Sequence, residues 1–494
     1  MTGTKMTGTM TKACFVALAL GFGMPLAYAA DDAKTVVGNA SKAMGVDGLN
    51  SIHYYGVAEL GNLGQNNNAN QPWPLAAAND YVRAIDFNQP ASRATWMTYA
   101  IPVTGGVAAL APGQQMVTPD STSWAQQLEI WITPWGFLKG AAANNATVHA
   151  QTVGGKRYQV VTFNAPLKSP GGQPYKMVGY INAQGLVEKV QTWLENPIFG
   201  DMLVEGEYSF YRDGANGLKF PAQIVQKRGG WPTFTAYILG AHANPANLQQ
   251  LLTPSSGAGG GPPGGGAQQA ANATSEKLAD GVYRIKGAYN SLAVEFADYI
   301  LLFEPGPQNE ARAQAVIAET KRVIPNKPIR YGVISHHHFD HTSGLPAVVA
   351  EGITIVTPEV NRDFLMTALS APRTLAPDSM SKSGKKPLIE GFQGDKRVFQ
   401  DATRTFEVDV IKGLPHADGL VIGYLPKEKI LVYADMFNLP PANNPVPNPP
   451  VIGTMVFLDN LARLNLDPER ILSIHSLNPD RLTSVADMRA SLGR

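Results

Sequence analysis

Residues 30–250 contain short runs in which apolar and polar residues alternate, and turn residues separate these runs. Residues 175–181 and 186–194 form one such pair, and residues 203–211 and 218–226 form another. A period of two places the apolar side chains on one face of a strand, and closely spaced runs of this kind are typical of hairpins. The pattern predicts a mainly antiparallel β domain over residues 30–250.

The pattern changes in the second half of the chain, where compact apolar runs alternate with a helical periodicity. Residues 310–323 repeat their apolar positions at helical spacing. Strands are predicted at residues 281–286, 292–296, 299–303, 329–334, 353–356, 401–411, 419–425 and 430–434. Mixed elements of this kind predict a layered α/β domain over residues 274–494.

Two segments fit neither domain. Residues 251–273 contain seven glycines and three prolines, a composition that is typical of a flexible linker. Residues 1–29 have lysines, then a short apolar run, then Ala27-Tyr28-Ala29, which is the pattern of a secretory signal peptide cleaved after Ala29. We therefore expect an exported protein that is periplasmic or secreted.

Composition narrows the function further. The chain has 494 residues, 44% of them hydrophobic and 16% charged, with a net charge of +1. A net charge this close to zero does not indicate a basic surface for nucleic acid, so we expect no nucleic-acid partner. No apolar run in the mature chain is long enough for a membrane span. Its single cysteine, Cys14, lies in the predicted signal peptide, which excludes disulfides and thiolate ligands from the mature chain.

The candidate chemistry lies at residues 335–341, Ser-His-His-His-Phe-Asp-His. In an extended chain His336, His338 and Asp340 leave the same face, and His341 follows directly. Imidazole and carboxylate are ligands that suit zinc or a similar first-row metal. An exposed metal-scavenging histidine tract is the alternative. The apolar run 329–334 just before the cluster favours a buried metal site instead.

Three further donors stand at the ends of predicted strands. His416 lies in a loop between two of them, Asp435 follows the apolar run 430–434, and His475 follows the apolar run 471–474. Strand ends are rigid supports, as the geometry of a metal site requires.

In order and spacing, these residues resemble the metal-ligand motif of the metallo-β-lactamase superfamily of hydrolases, over roughly residues 276–476. The resemblance implies an αββα sandwich with two divalent metal ions, zinc by ligand type, at one edge. It implies that one ion is held by His336, His338 and His416, that the other is held by Asp340, His341 and His475, and that Asp435 bridges them. Three positions differ from the usual pattern: Ala434 replaces a glycine, and Ile474 and Ser476 flank the last ligand where glycines are common. His337 falls at a variable position and should point away from the metals.

The resemblance implies a metal-dependent hydrolase in which a metal-bridging hydroxide cleaves an ester, lactone, thioester or amide. Asp340 would orient the attacking water and relay its proton. The ligand set is similar to that of glyoxalase II and the acyl-homoserine lactonases. Two alternatives stay open: an enzyme like the mononuclear iron persulfide dioxygenases, and a zinc β-lactamase, although the latter typically have cysteine or serine in place of Asp435.

The expected partner is a small-molecule substrate that is apolar or anionic. This hypothesis rests on the proline-rich stretch 438–451 and on the basic stretch 369–392, which contains Arg373. The strand pattern of residues 30–250 is similar to the half-barrel of periplasmic lipoprotein carriers, which suggests lipid or lipoprotein contact. The aromatic group Trp124, Trp131, Trp135 and Phe137 would either line an apolar groove or pack in the core.

Overall fold

The computed structural model describes residues 32–100, 107–254, 272–440 and 446–494. The predicted signal peptide and residues 255–271 of the predicted linker lie outside these ranges, so both assignments stay predictions. Residues 441–445 of the proline-rich stretch also lie outside them. Within the described ranges, no helix has the length and apolar character needed to cross a membrane.

The N-terminal part forms one antiparallel sheet of 11 strands, in the order β4-β3-β2-β1-β11-β10-β9-β8-β7-β6-β5. In chain order its elements are α1 (Ala33–Met44), β1 (Ser51–Gly61), β2 (Leu75–Asp86), β3 (Ala91–Ala100), β4 (Ala109–Val117), α2 (Trp124–Trp131), α3 (Pro134–Ala143), β5 (Thr147–Val153), β6 (Lys156–Lys168), β7 (Pro174–Ile181), β8 (Val187–Asn196), β9 (Gly200–Asp213), a 3₁₀ turn (Ala215–Gly217), β10 (Lys219–Arg228), β11 (Trp231–Ala243) and α4 (Leu248–Leu252). Both predicted hairpins are present, because β7 pairs with β8 and β9 pairs with β10.

The buried face of this sheet packs against helices that the strand pattern did not predict. Trp124 begins α2, and Trp135 and Phe137 lie in α3, all of them buried in the core of the N-terminal part. Thr133 caps α3, because its hydroxyl accepts a hydrogen bond from the backbone N–H of Gly136 at 3.1 Å. These three side chains therefore pack in the core and do not line an apolar groove.

The C-terminal part contains two sheets, one of seven strands in the order β12 to β18 and one of five strands in the order β19 to β23. Its elements are β12 (Thr274–Ala279), β13 (Val282–Lys286), β14 (Ser291–Glu295), β15 (Ile300–Phe303), α5 (Glu310–Val323), β16 (Ile329–Val333), α6 (Phe339–Thr342), α7 (Leu345–Glu351), β17 (Thr354–Pro358), α8 (Glu359–Leu369), α9 (Ser379–Ser383), β18 (Ile389–Phe392), β19 (Lys396–Gln400), β20 (Thr405–Val410), β21 (Val421–Leu425), β22 (Ile430–Tyr433), α10 (Ile452–Arg463), β23 (Arg470–Ser473) and α11 (Val485–Ser491).

Three apolar cores separate four layers of the C-terminal part. Phe303 and Phe406 meet between the two sheets, with ring centroids 6.3 Å apart. Val316 of α5 and Val348 of α7 pack on the outer face of the first sheet. Phe457 of α10 packs on the outer face of the second sheet. This arrangement confirms the αββα sandwich expected from the sequence, preceded by a mainly antiparallel sheet.

The order of the strands brings several strand ends to one edge of the sandwich. Strands β15, β16 and β17 run parallel, and so do β22 and β23. The backbone N–H of Val421, at the start of β21, donates to the carbonyl of Ser335 at 2.8 Å and so ties the segment after β16 to the second sheet. Segments that follow the parallel strands therefore meet where the two sheets join.

The N-terminal sheet docks onto the sandwich through Arg373. This side chain is buried, and its guanidinium donates to the carbonyls of Pro197 and Ile198 at 2.9 and 2.7 Å. It also forms an ion pair with Asp378 at 2.8 Å. Arg373 belongs to the basic stretch 369–392 that was expected beside an apolar or anionic substrate, but its guanidinium makes its hydrogen bonds within the interface instead.

We expect Arg373→Ala to lower the free energy of unfolding by about 3 kcal/mol, because it leaves a largely buried carboxylate and two carbonyls without their partner. Urea unfolding of the full chain measures this change. Lys386→Ala, on the same stretch but exposed, is the control and should change stability by less than about 0.5 kcal/mol. Equal stability of the two variants would contradict the interface role of Arg373.

Candidate metal centre

The histidine cluster follows β16 but is not an extension of that strand. Strand β16 ends at Val333, and the short helix α6 carries Asp340 and His341. The hydroxyl of Thr342 stabilises this turn by donating to the carbonyl of His338 at 2.8 Å. The sequence predicted an extended stretch through Asp340, which is wrong because the chain turns at Phe339.

The remaining donors come from three other segments at the same edge. His416 lies in the loop between β20 and β21, and His475 lies two residues after β23 ends. Asp435 follows β22 by two residues and has a φ of 57°, a left-handed conformation that non-glycine residues rarely adopt. Such a strained backbone persists where the surrounding structure holds it in place, and it recurs at functional sites.

The structure brings all seven sequence-predicted donors into one cluster. Their ligand atoms form three groups in which all atoms lie within 4.8 Å of one another: His336 with His338 and His416, His336 with His341 and Asp435, and Asp340 with His341 and His475. Two of these groups have the same members as the two ligand sets that the family resemblance implies.

Asp435 lies between the two sets. Its Oδ2 atom is 3.4 Å from Nε2 of His336 and 2.8 Å from Nε2 of His341. Its Oδ1 atom is 2.8 Å from Nε2 of His475. One carboxylate therefore reaches imidazoles of both sets, which is the placement that a bridging ligand needs.

Several of these atoms have no conventional hydrogen-bond partner. Among the described residues, Nδ1 of His338, Nε2 of His341 and Oδ2 of Asp435 are buried without one. Nε2 of His336 and Nε2 of His416 face each other at 3.3 Å. Buried polar atoms without partners are costly, and a divalent cation would satisfy this set of nitrogen and oxygen donors. The donor set thus fits the metals that the sequence implied.

In three of these imidazoles, the ring nitrogen that faces away from the centre of the cluster has a defined partner. Nδ1 of His336 is 3.0 Å from the hydroxyl of Ser335, and Nδ1 of His341 is 3.2 Å from the carboxylate of Glu304. Nε2 of His338 is 3.0 Å from the carbonyl of Asn66. Such partners fix ring orientation and tautomer, so that the opposite nitrogen faces the centre of the cluster.

Sequence reasoning missed the role of Glu304, which is fully buried beside His341. A signal was present, since Glu304 directly follows the apolar strand β15 and a carboxylate at such a position needs a partner. It also missed the residues that hold Asp340. Nε2 of Gln65 donates to Oδ1 of Asp340 at 2.8 Å, and the hydroxyl of Tyr289 donates to Oδ2 at 2.9 Å.

The electrostatics of His336, His338 and Asp435 favour the form of each group that binds a cation. Burial, together with neighbouring imidazoles, lowers the pKa of His336 well below its ordinary value and that of His338 to about 3. Burial opposes the charge on Asp435, but His341 and the other imidazoles beside it outweigh burial and hold its pKa well below the usual range. Neutral imidazoles and an ionised carboxylate are the protonation states that metal binding requires. His341 is the exception: burial lowers its pKa, but the carboxylates of Glu304, Asp435 and Asp340 outweigh burial and raise that pKa well above the ordinary value, so this imidazole must lose a proton to bind a cation.

The other histidines lie apart from the three groups. His337 turns away from them, and its Nε2 lies 2.8 Å from the carbonyl of Asn66. In the N-terminal sheet, His53 stacks on His242 with ring centroids 5.9 Å apart, and His149 is exposed on β5. None of these four histidines belongs to a candidate metal group among the described residues.

Comparison with known proteins gives one family match. Residues 284–450 match the model of the Metallo-beta-lactamase superfamily. No curated protein matches the chain. Among solved structures, a metallo-beta-lactamase from Pontibacter korlensis is 17% identical, with 45% of this chain and 98% of that chain covered and a TM-score of 0.33. One from Hirschia baltica is 16% identical, with 45% and 97% covered and a TM-score of 0.33. The family match places residues 284–450 in the metallo-beta-lactamase superfamily.

Proposed function

We propose that the chain is an exported hydrolase that uses divalent metal ions to cleave an ester, lactone, thioester or amide in a small-molecule substrate. The observation that carries this proposal is the convergence of five imidazoles and two carboxylates in a domain of this typically hydrolytic superfamily. Export, to the periplasm or the medium, is supported by the signal-peptide pattern of residues 1–29.

The chain's own residues divide into three roles. The ions would be held by His336, His338 and His416, by Asp340, His341 and His475, and by Asp435 between them. When bound, two such ions, zinc by ligand type, would supply a bridging hydroxide nucleophile at neutral pH and polarise the substrate's carbonyl oxygen. Asp340 would orient the attacking water and accept its proton. Its pKa is lowered because the neighbouring His341 outweighs the effect of burial, so the carboxylate is ionised and can accept hydrogen bonds.

Two of the site's features bear on the alternatives. The second group, Asp340 with His341 and His475, favours two ions over the single iron of a persulfide dioxygenase-like enzyme. Asp435 stands where zinc β-lactamases typically have cysteine or serine, which favours an esterase or lactonase.

The N-terminal sheet has a cavity that supports a second candidate function, the binding of an anionic lipid. The cavity has a volume of about 350 Å³, and Leu60, Trp96 and Phe234 are among its apolar lining residues. Arg83 and Arg228 also line it and share the single carboxylate of Glu129, at 3.2 and 2.9 Å. An apolar cavity with one more arginine than carboxylate suits an acyl chain that ends in an anionic group.

Replacing Asp435 by alanine should lower the zinc content of the purified chain from about two ions towards one, because it removes the carboxylate that reaches both groups. Elemental analysis measures the content. Asp459→Ala, an exposed position on α10, is the matched control and should keep the native content. A content of two ions in the Asp435 variant would rule out the bridging role.

The zinc-loaded full chain should hydrolyse at least one class in a panel of esters, lactones, thioesters, amides and β-lactams. A chelator should abolish this turnover, and His336→Ala should lower it by roughly 100-fold or more, because losing even an outer partner of a ligand costs 10–100-fold. The exposed His149→Ala is the control. Turnover that persists after chelation would refute the proposal. Iron in the purified chain together with oxygen uptake would favour the dioxygenase alternative.

A fluorescent fatty-acid analogue should bind the full chain and bind Thr98→Trp about tenfold more weakly, since Thr98 lines the cavity and the larger ring would occupy it. Tyr99→Trp is the control, because Tyr99 is 66% exposed and points to the other face of β3. Titration by fluorescence gives the dissociation constants. Equal affinity for both variants would show that the probe binds elsewhere.

A further inference from the structure

The connection between β1 and β2, residues 62–74, crosses from the N-terminal sheet to the metal centre. We call it the 62–74 loop. Its residues hydrogen-bond to two candidate ligands, His338 and Asp340, and to the loop that carries a third, His416, although these partners lie 272 to 350 positions away in sequence. We propose that the 62–74 loop is a positioning element of the metal centre, so that the N-terminal sheet is needed for full metal affinity.

The first contact fixes the ring of a ligand. The carbonyl of Asn66 accepts from Nε2 of His338 at 3.0 Å, which leaves Nδ1 of that ring without a proton and facing the centre. The Asn66 side chain is itself held, because its Nδ2 donates to the carbonyls of Asn68 and Gln71 at 2.6 and 3.0 Å. The loop's own hydrogen bonds thus fix the carbonyl that orients His338.

The second contact holds a carboxylate. Nε2 of Gln65 donates to Oδ1 of Asp340 at 2.8 Å. Tyr289 holds the other oxygen from within the sandwich. Two donors from different parts of the chain therefore restrict the rotation of one ligand, and Gln65 is the donor that comes from the N-terminal sheet.

The third contact ties down the loop that carries His416. The backbone N–H of Asp418 donates to the carbonyl of Asn67 at 2.6 Å, and Nδ2 of Asn67 donates to the carbonyl of Pro415 at 3.0 Å. Nδ2 of Asn68 donates to the carboxylate of Asp418 at 3.0 Å. Because the same loop also holds His338, it sets the distance between two members of one ligand group.

The 62–74 loop is anchored by aromatic packing around Phe339, the apolar residue inside the ligand motif. The Phe339 ring lies 5.9 Å from the ring of Trp73 and 5.5 Å from the ring of Phe199. Trp73 also donates from Nε1 to the carbonyl of Arg228 at 2.9 Å. Gly64 packs against the same Phe339 ring so closely that a Cβ atom there would lie 2.3 Å from Cγ. A side chain at position 64 must therefore displace either the loop or the Phe339 ring, and Phe339 lies between the ligands His338 and Asp340 in the chain.

The test is the apparent zinc dissociation constant of the full chain, measured by competition with a chromophoric chelator. Gly64→Ala should weaken zinc binding by about 10–100-fold, and Gln65→Ala by about tenfold, as removal of partners that orient ligands typically does. Gly154→Ala is the control for the glycine change: its φ of 57° is also left-handed, but nothing lies within 4 Å of the added Cβ. That variant should bind zinc as the native chain does.

A cobalt-loaded sample adds a readout that a purely structural role would not change. Displacement of His338 or His416 should shift the visible absorption of bound cobalt in Gly64→Ala and leave it unchanged in Gly154→Ala. If Gly64→Ala does not fold, Gln65→Ala, which removes one side-chain hydrogen bond, and Asn68→Ala, which removes two, take its place in both measurements.

This inference rests on the metal centre of the proposed function, and the two can fail separately. A native chain that binds no zinc would refute the proposed function. Native zinc binding, with folded loop variants that bind zinc within about threefold of the native constant, would overturn the positioning role alone.

Discussion

The structure depends on one costly arrangement, a set of imidazoles and carboxylates that face one another at the edge of a buried sandwich. His336 and His341 are fully buried, and Asp435 lies within 3.4 Å of both. Donors packed this closely repel or stay unsatisfied unless a cation lies among them. The surrounding structure has to hold them together against that cost, and its rigid strands and outer hydrogen bonds do so.

The αββα architecture supplies the rigidity. Parallel strands end at a common edge, so the segments after β16, β22 and β23 deliver their donors to the same place. Two of these segments leave ordinary strand geometry at the site, through the short helix α6 and the left-handed Asp435. The strands fix where the backbone of each donor lies. The irregular segments after the strands let the donor side chains point towards the centre of the cluster.

The N-terminal sheet shares a surface with this site. Leu63 lines the cavity in that sheet, and the next residue, Gly64, packs on Phe339 of the ligand motif. Arg373 joins the two parts at a second place. The cavity and the candidate metal centre are therefore linked by two consecutive residues of one loop.

The local sequence pattern was sufficient to predict hairpins of the N-terminal sheet, the helix α5 and the candidate ligands. The hairpins of the N-terminal sheet follow from alternation with a period of two, and α5 follows from helical spacing at residues 310–323. The seven candidate ligands could be named because their residue types, order and strand-end positions are visible along the chain.

Only the tertiary structure decided which groups surround these seven residues. Gln65 and Asn66 carry no local signal, since their role arises from a contact with residues far away in sequence. Arg373 has the sequence context of a solvated loop residue, and it is buried only because the N-terminal sheet covers it. Periodicity and residue chemistry act over short stretches of chain, whereas burial and hydrogen-bond partners are set by which distant surfaces meet.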